Sequence, residues 1–171
     1  MISRRIYMKR FAAILIVAAV LLMGCGKETP GNKETEDVKV AYSINNISVI
    51  PGTEFDLIKE SFGEPVKYTE AASCYFDGMD KMFTYDGFEI RTYPKDGKDY
   101  IQDLCISSDR YKADGNVTVG SSLEDVQSVY GKDFKQTGNM YKYVKEDNRY
   151  IYFFVLNDTV KYFGYAVDAS N

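Results

Sequence analysis

The side chains able to do chemistry in this 171-residue chain are three cysteines, fifteen tyrosines and twenty-five carboxylates, with no histidine anywhere. Without histidine there is no His-based triad, no imidazole general base and no imidazole metal ligand. Enzyme chemistry is then confined to Asp, Glu, Lys or Tyr. The paired carboxylates Asp56 with Glu60 and Glu124 with Asp125 fall on short amphipathic helices, where solvated helix charge accounts for them. Asp77-Gly78-Met79-Asp80 and Asp96-Gly97-Lys98-Asp99 lack the dense oxygen spacing of a calcium loop and read as turns. Gly24 to Thr29 carries the tail of a phosphate-loop pattern, but position 21 is Leu and no strand precedes it. These residues predict no catalytic centre, no metal and no cofactor, and hence a protein that is not an enzyme.

Cys25 has a different context. Arg4, Arg5, Lys9 and Arg10 form a cationic start, an apolar run over 11–23 comes next, and the run stops at Leu22-Met23-Gly24-Cys25. The apolar run is too short for a spanning helix, which needs ~20 residues. The four-residue ending resembles the lipobox of bacterial lipoproteins. That resemblance implies a signal peptide over 1–24, cleavage before Cys25, and lipid attachment (palmitate among the acyl chains) at Cys25. The alternative is a plain secretory signal followed by a chance cysteine. Either way the mature protein works outside the cytoplasm. With the lipid it is a membrane-anchored protein of the bacterial cell envelope.

The four cationic residues before Cys25 are unaccompanied by any acid, so the chain from Cys25 onward carries 17 basic and 25 acidic residues, a net charge of −8. A domain this acidic does not neutralise phosphates, which excludes nucleic acid as a partner. It is also repelled by anionic lipid, which leaves the membrane contact to the acyl chains. Residues 25–38, with GKETPGNKETED at 26–37, have no large apolar side chain over most of their length and predict a flexible tether. Such a tether spans on the order of 20 Å.

The folded remainder repeats itself. Displaced by 68 positions, Gly52-Thr53-Glu54-Phe55-Asp56-Leu57-Ile58-Lys59-Glu60-Ser61-Phe62-Gly63 falls on Gly120-Ser121-Ser122-Leu123-Glu124-Asp125-Val126-Gln127-Ser128-Val129-Tyr130-Gly131. Apolar residues match at Phe55/Leu123, Ile58/Val126 and Phe62/Tyr130, the spacing of one helix face. Thr53 with Asp56, and Ser121 with Glu124, stand in capping-box position, and Gly63 and Gly131 are helix stops. After each helix come strand signals. In the first copy SCYF, KMFTY, FEIRTY and YIQDLCIS are divided by Asp77-Gly78, Asp86-Gly87 and Asp96-Gly97. In the second, MYKYV, RYIYFFVL and TVKYFGYAV are divided at Glu146-Asp147 and Asn157-Asp158. The fold class is α+β: two tandem helix-plus-antiparallel-meander units, 39–114 and 115–171, forming one continuous curved sheet with the helices on one face.

The helix pattern G-[ST]-x-x-[DE]-x-[IV]-x-x-x-[FY]-G, followed by a meander, resembles the β-lactamase inhibitor protein fold. It is also similar to the small lipoproteins of the outer-membrane β-barrel assembly machinery, in which the unit occurs once. The tandem arrangement favours the inhibitor-type architecture, which implies a sheet face that clasps a partner protein. No individual inhibitory residue carries over.

If Glu146-Asp147 and Asn157-Asp158 are two-residue turns, Tyr143 opposes Tyr150, Tyr141 opposes Tyr152, Tyr152 opposes Phe163 and Tyr150 opposes Tyr165. One face then carries Tyr141, Tyr143, Lys145, Tyr150, Tyr152, Phe154, Lys161, Phe163 and Tyr165, and the other Val144, Ile151, Phe153, Val155, Val160 and Tyr162. The same pairing at Asp86-Gly87 places Phe83, Tyr85, Phe88 and Ile90 in the core, with Tyr75, Met82, Thr84, Glu89, Arg91 and Tyr93 on the open side. The partner-binding set is therefore Tyr141, Tyr143, Tyr150, Tyr152, Phe163, Tyr165, Tyr75, Arg91 and Tyr93. Tyrosine suits recognition because it supplies contact area at low entropic cost, and ordinary β propensity also places it in strands. Cys74 and Cys105 fall on the first and fourth strands of a simple meander, about 14 Å apart at ~4.8 Å per strand, beyond disulfide reach. Unless the strand order differs, they are two buried thiols. The expected function is non-catalytic protein binding through an open tyrosine-rich face. The alternatives are a structural envelope lipoprotein of the barrel-assembly type and a small-ligand binder with a pocket of convergent carboxylates.

Overall fold

Short turns with residues in the left-handed region fix most of the strand pairing. The structure, a computed structural model, describes residues 40–169. Both residues of Asn45-Asn46, Asp96-Gly97 and Asn157-Asp158 lie at positive φ, which matches a two-residue turn to the twist of its strands. They join β1 (Tyr42–Ile44) to β2 (Ile47–Val49), β5 (Phe88–Lys95) to β6 (Lys98–Ile106), and β9 (Arg149–Leu156) to β10 (Thr159–Val167). The remaining strands are β3 (Lys67–Ala72), β4 (Met79–Tyr85), β7 (Lys135–Thr137) and β8 (Met140–Val144). β1 and β2 pair with each other, and the other eight form one antiparallel sheet in the order β3-β4-β5-β6-β10-β9-β8-β7. With only two short helices beside it among the described residues, the fold is α+β and mostly antiparallel sheet.

The helices are α1 (Asp56–Lys59), continued by a 3₁₀ turn at Glu60–Phe62, and α2 (Leu123–Tyr130). Gly63 (φ 70°) and Gly131 (φ 82°) end them, as glycine past a C-terminus does. The caps differ from the expected pairs. The capping box of α2 is Ser122 with Asp125: the Asp125 N–H donates to Ser122 Oγ at 3.1 Å and the Ser122 N–H to Asp125 Oδ2 at 2.9 Å. Ser121 Oγ instead accepts from the Thr118 N–H. Thr53 donates its hydroxyl to the Ile50 carbonyl, and no side chain caps α1. The helix starts slide by a residue or more because Leu123 and Phe55 are positioned by the sheet they face, not by the first polar residue after glycine.

One sheet face is the core. Phe83, Ile90, Leu104, Ile106, Ile151, Phe153 and Phe163 are buried there with Phe55, Val126 and Tyr130 from the helical segments and Ile44 and Val49 from the β1–β2 hairpin. Ring contacts join Phe55 to Phe83 (4.8 Å), Tyr130 to Phe153 (5.0 Å) and Tyr42 to Tyr165 (5.1 Å), so both helices and the hairpin lie against the same side. Burial of each large side chain stabilises by about 1.5–3 kcal/mol.

Three sequence expectations are corrected here. Residues 73–76, read as a strand, form a loop, and the first strand of the large sheet is Lys67–Ala72. The β8–β9 connection has three residues, Glu146–Asn148, with Asp147 (φ 53°) and Asn148 (φ 59°) left-handed and the Lys145 N–H bonded to the Arg149 carbonyl. Tyr143 therefore opposes Ile151, and Tyr141 opposes Phe153. The β9–β10 turn has the expected two residues, pairing Leu156 with Thr159, but an irregularity between Val160 and Tyr162 moves the rest by one, so that Phe163 opposes Phe153 and Gly164 opposes Tyr152. A one-residue slip exchanges the faces of a strand. Tyr141, Tyr143, Phe163 and Tyr165 consequently face the core, the last three fully buried, and Val144 and Tyr162 face the other way. The expected faces of β4, β5 and β9 match the observed pairing.

Candidate functional site

The face opposite the helices carries rows of side chains set by strand register. One row runs Arg91, Asp103, Ala166, Tyr150, Val144 across β5, β6, β10, β9 and β8. The next runs Glu89, Cys105, Gly164, Tyr152, Lys142, and a third holds Tyr162, Phe154 and Met140. Together they shape a concavity of about 670 Å³, with Glu89, Arg91, Asp103, Tyr150, Tyr162 and Lys142 among its lining. All these side chains stand on paired strands, so the backbone holds them in place.

Gly164 makes the centre of the site. A Cβ there would lie 2.5 Å from the Leu104 carbonyl oxygen and 2.5 Å from Cζ and Oη of Tyr152. The Tyr152 ring occupies that space, crosses the β10 backbone and donates its hydroxyl to Asp103 Oδ1 at 2.9 Å on the strand beyond. Burial raises the Asp103 carboxyl to about 6, against the opposing pull of the Tyr152 hydrogen bond and of Arg91. Burial and the nearby Asp103 charge push the Tyr152 phenol far up, so it stays a neutral donor. The Cys105 thiol is pushed up to about 11, first by burial and then by Asp103. A thiol so rarely ionised is a poor nucleophile.

Arg91 sits between two carboxylates without hydrogen-bonding either. Its Nη1 is 3.7 Å from Asp103 Oδ2 and its Nη2 is 3.8 Å from Glu89 Oε2, beyond hydrogen-bond length. Glu89 Oε2 is buried with no hydrogen-bond partner. On the opposite wall Lys142 Nζ lies 3.4 Å from the centroid of the Tyr150 ring, a cation–π contact. Phe154 and Tyr162 stack at 4.7 Å with their planes 2° apart, and Tyr162 meets Tyr152 edge-on at 6.4 Å. The concavity thus combines aromatic walls with two carboxylates, two cations and hydrogen-bonding groups that are only partly used.

Of the residues expected to bind a partner, the structure brings Tyr150, Tyr152 and Arg91 together in this concavity. Tyr93 shares the face farther along β5, packed between Phe76 and Tyr100. Tyr75 is exposed in the loop after β3, outside the concavity. Tyr141, Tyr143, Phe163 and Tyr165 are on the far side, with the helices. Cys25 and the tether lie outside the described residues. Sequence patterning alone misses Asp103, Lys142, Tyr162 and Gly164 as site residues. A carboxylate between Ile101 and Leu104 in a strand is a readable anomaly. The register break between Arg91 and Thr92 in the β5–β6 pairing conceals which face it takes. Among the described residues no cluster of three or more His, Cys, Asp or Glu side chains is placed to hold a metal, and no helix is long and apolar enough to cross a membrane.

No protein-family model matches the chain, and no curated protein matches it. Among solved structures, an extracellular protein containing a SCP domain from Bacillus anthracis str. Ames superposes with a TM-score of 0.53 at 13% identity, over 84% of this chain and 50% of that one. The chain therefore spans half the length of that structure, and at this identity the likeness is one of fold alone.

Proposed function

We propose that the chain is a membrane-anchored extracytoplasmic lipoprotein acting as a non-catalytic binding module, which captures an envelope partner on the uncovered sheet face. The observation that carries this reading is the aromatic concavity on five paired strands, with Asp103 and Tyr152 fixed beneath it. Rigid aromatic walls bind with little loss of side-chain freedom. In this reading residues 39–114 and 115–171 are two tandem units joined at β6 and β10, in the manner of β-lactamase inhibitor proteins, and the site lies where they meet. β5 and β6 come from the first unit and β8 to β10 from the second. The extracellular neighbour supports the compartment, and Cys25 supplies the anchor.

The resemblance to inhibitor proteins favours a protein that lays a loop on the face. A ligand of limited size held in the concavity is favoured by a different observation: four of the aromatic side chains expected on this face point into the core, so the aromatic surface contracts to the concavity. The test is capture by the detergent-solubilised full chain from envelope material, beside a Tyr150→Ala/Tyr162→Ala variant. Capture should fall by about tenfold or more, as loss of two aromatic anchors implies. Equal capture by both would move the contact to the helix side and favour a structural lipoprotein of the barrel-assembly type.

A further inference from the structure

We propose that the concavity is a saccharide-binding site, taking a sugar with adjacent free hydroxyls as part of a larger envelope glycan. This rests on the reading of the concavity as a ligand site and names its ligand class.

Charge excludes the simpler ligands. Glu89 and Asp103 flank Arg91 on one wall, and Lys142 stands on the other. The four charges sum to zero, so an anion or a cation entering the space loses hydration with no net attraction to offset it. A neutral ligand avoids that penalty.

Unused hydrogen-bonding capacity then specifies what kind of neutral ligand. The two Nη atoms of Arg91 stand 3.7 and 3.8 Å from a carboxylate oxygen each, so neither ion pair is a hydrogen bond. Glu89 Oε2 has no hydrogen bond at all. A hydroxyl both accepts and donates. Glu89 Oε2 is shut off from solvent, so the reachable capacity is that of the half-exposed Arg91 side chain, whose two Nη atoms two neighbouring hydroxyls satisfy, each accepting from one. A lone amide or an aromatic side chain from a protein partner offers no such pair. One ring face of Tyr150 is taken by Lys142 and one of Tyr162 by Phe154, and the opposite faces, on the concavity that both residues line, supply the other half of the recognition. Their negative π-faces suit the weakly positive C–H side of a pyranose. A volume of about 670 Å³ is in the range of small-molecule sites. No described helix or hairpin packs on this face, so a chain can enter and leave at the rim.

The experiment uses the detergent-solubilised full chain and the insoluble envelope material of the bacterium that makes it. The material is untreated, protease-digested, or oxidised with periodate and quenched. Periodate cleaves the C–C bond between adjacent hydroxyl-bearing carbons to two aldehydes, with periodate reduced to iodate. Co-sedimentation of the protein should survive protease and be abolished by periodate. Arg91→Lys, which keeps the charge and loses the fork, should weaken it by roughly tenfold. Loss of co-sedimentation after protease overturns the proposal and leaves capture of a protein by the face standing. Survival through periodate also overturns it. No co-sedimentation with untreated material overturns this proposal together with the capture reading.

Discussion

Asp103 is buried at 9% exposure beneath an otherwise wet face, and burial holds its carboxyl at about 6 instead of 3.8. Below about pH 4 the folded and unfolded chains both carry the proton, and Asp103 does not affect stability. As pH rises from about 4 to about 6 the unfolded chain loses the proton first, so stability falls. Above about 6 the loss is complete, on the order of 3 kcal/mol for a shift of about two units. Asp103→Asn keeps an acceptor for Tyr152 and should remove this decline, leaving the variant more stable than the parent at pH 7.5 but not at pH 4. Urea midpoints at the two pH values read it directly. Gly164→Ala tests the other half of the arrangement. A methyl 2.5 Å from both the Leu104 carbonyl and the Tyr152 ring has nowhere to go, because one of the two neighbours is backbone. The variant should be destabilised by about 1–3 kcal/mol, with the Tyr152–Asp103 bond broken as well. A denaturation curve matching the parent's would show that Tyr152 reaches Asp103 without the glycine.

At the scale of elements, the turn at Glu146–Asn148 decides more than its size suggests. It carries Asp147 and Asn148 at positive φ, a conformation that Asn and Gly adopt readily and β-branched residues do not. Asn148→Val should lower stability by about 1–2 kcal/mol, whereas Asn148→Gly should leave it within a few tenths. Thermal unfolding of the pair separates backbone conformation from side-chain loss. The capping box of α2 is the second element-level device. Ser122 and Asp125 satisfy two backbone N–H groups of an eight-residue helix, too short to persist alone. Ser122→Ala should cost about 1 kcal/mol, read by the same melts. Thr53→Ala should not remove a cap, because Thr53 caps nothing.

At the scale of the whole molecule, the two cysteines of the described body report how differently its faces are protected. Both are free. Cys105 lies in the concavity beside Tyr152 and Asp103, half-buried, with its thiol pushed up to about 11. The expectation of a buried strand thiol fails for Cys74, which is exposed in the loop after β3. Alkylation at pH 7.5, followed by mass spectrometry of the peptides, should modify Cys74 at least about tenfold faster, since the thiolate is the reacting form. A ligand seated in the concavity should slow Cys105 further and leave Cys74 unchanged. Equal rates at the two thiols would mean that this face opens readily in solution.

The sequence by itself determined where both helices stop and where β4 to β6 and β9 to β10 turn, but it left out the β1–β2 hairpin, β3 and β7 and read the loop at 73–76 as a strand. Gly63 and Gly131, Asp86-Gly87, Asp96-Gly97 and Asn157-Asp158 act through local backbone conformation, which needs no knowledge of distant residues. For the same reason the pairing of Phe83 with Ile90 and of Tyr85 with Phe88 followed from one turn. The tertiary structure decided which tyrosines face outward. Side chains alternate with period two, so one extra residue in the turn after β8 and one irregularity at Lys161 reversed Tyr141, Tyr143, Phe163 and Tyr165. The concavity was also beyond local reading. Asp103, Tyr152 and Gly164 meet only because β6 pairs with β10 and β10 with β9, and the tyrosine crosses the one position between them that has no side chain.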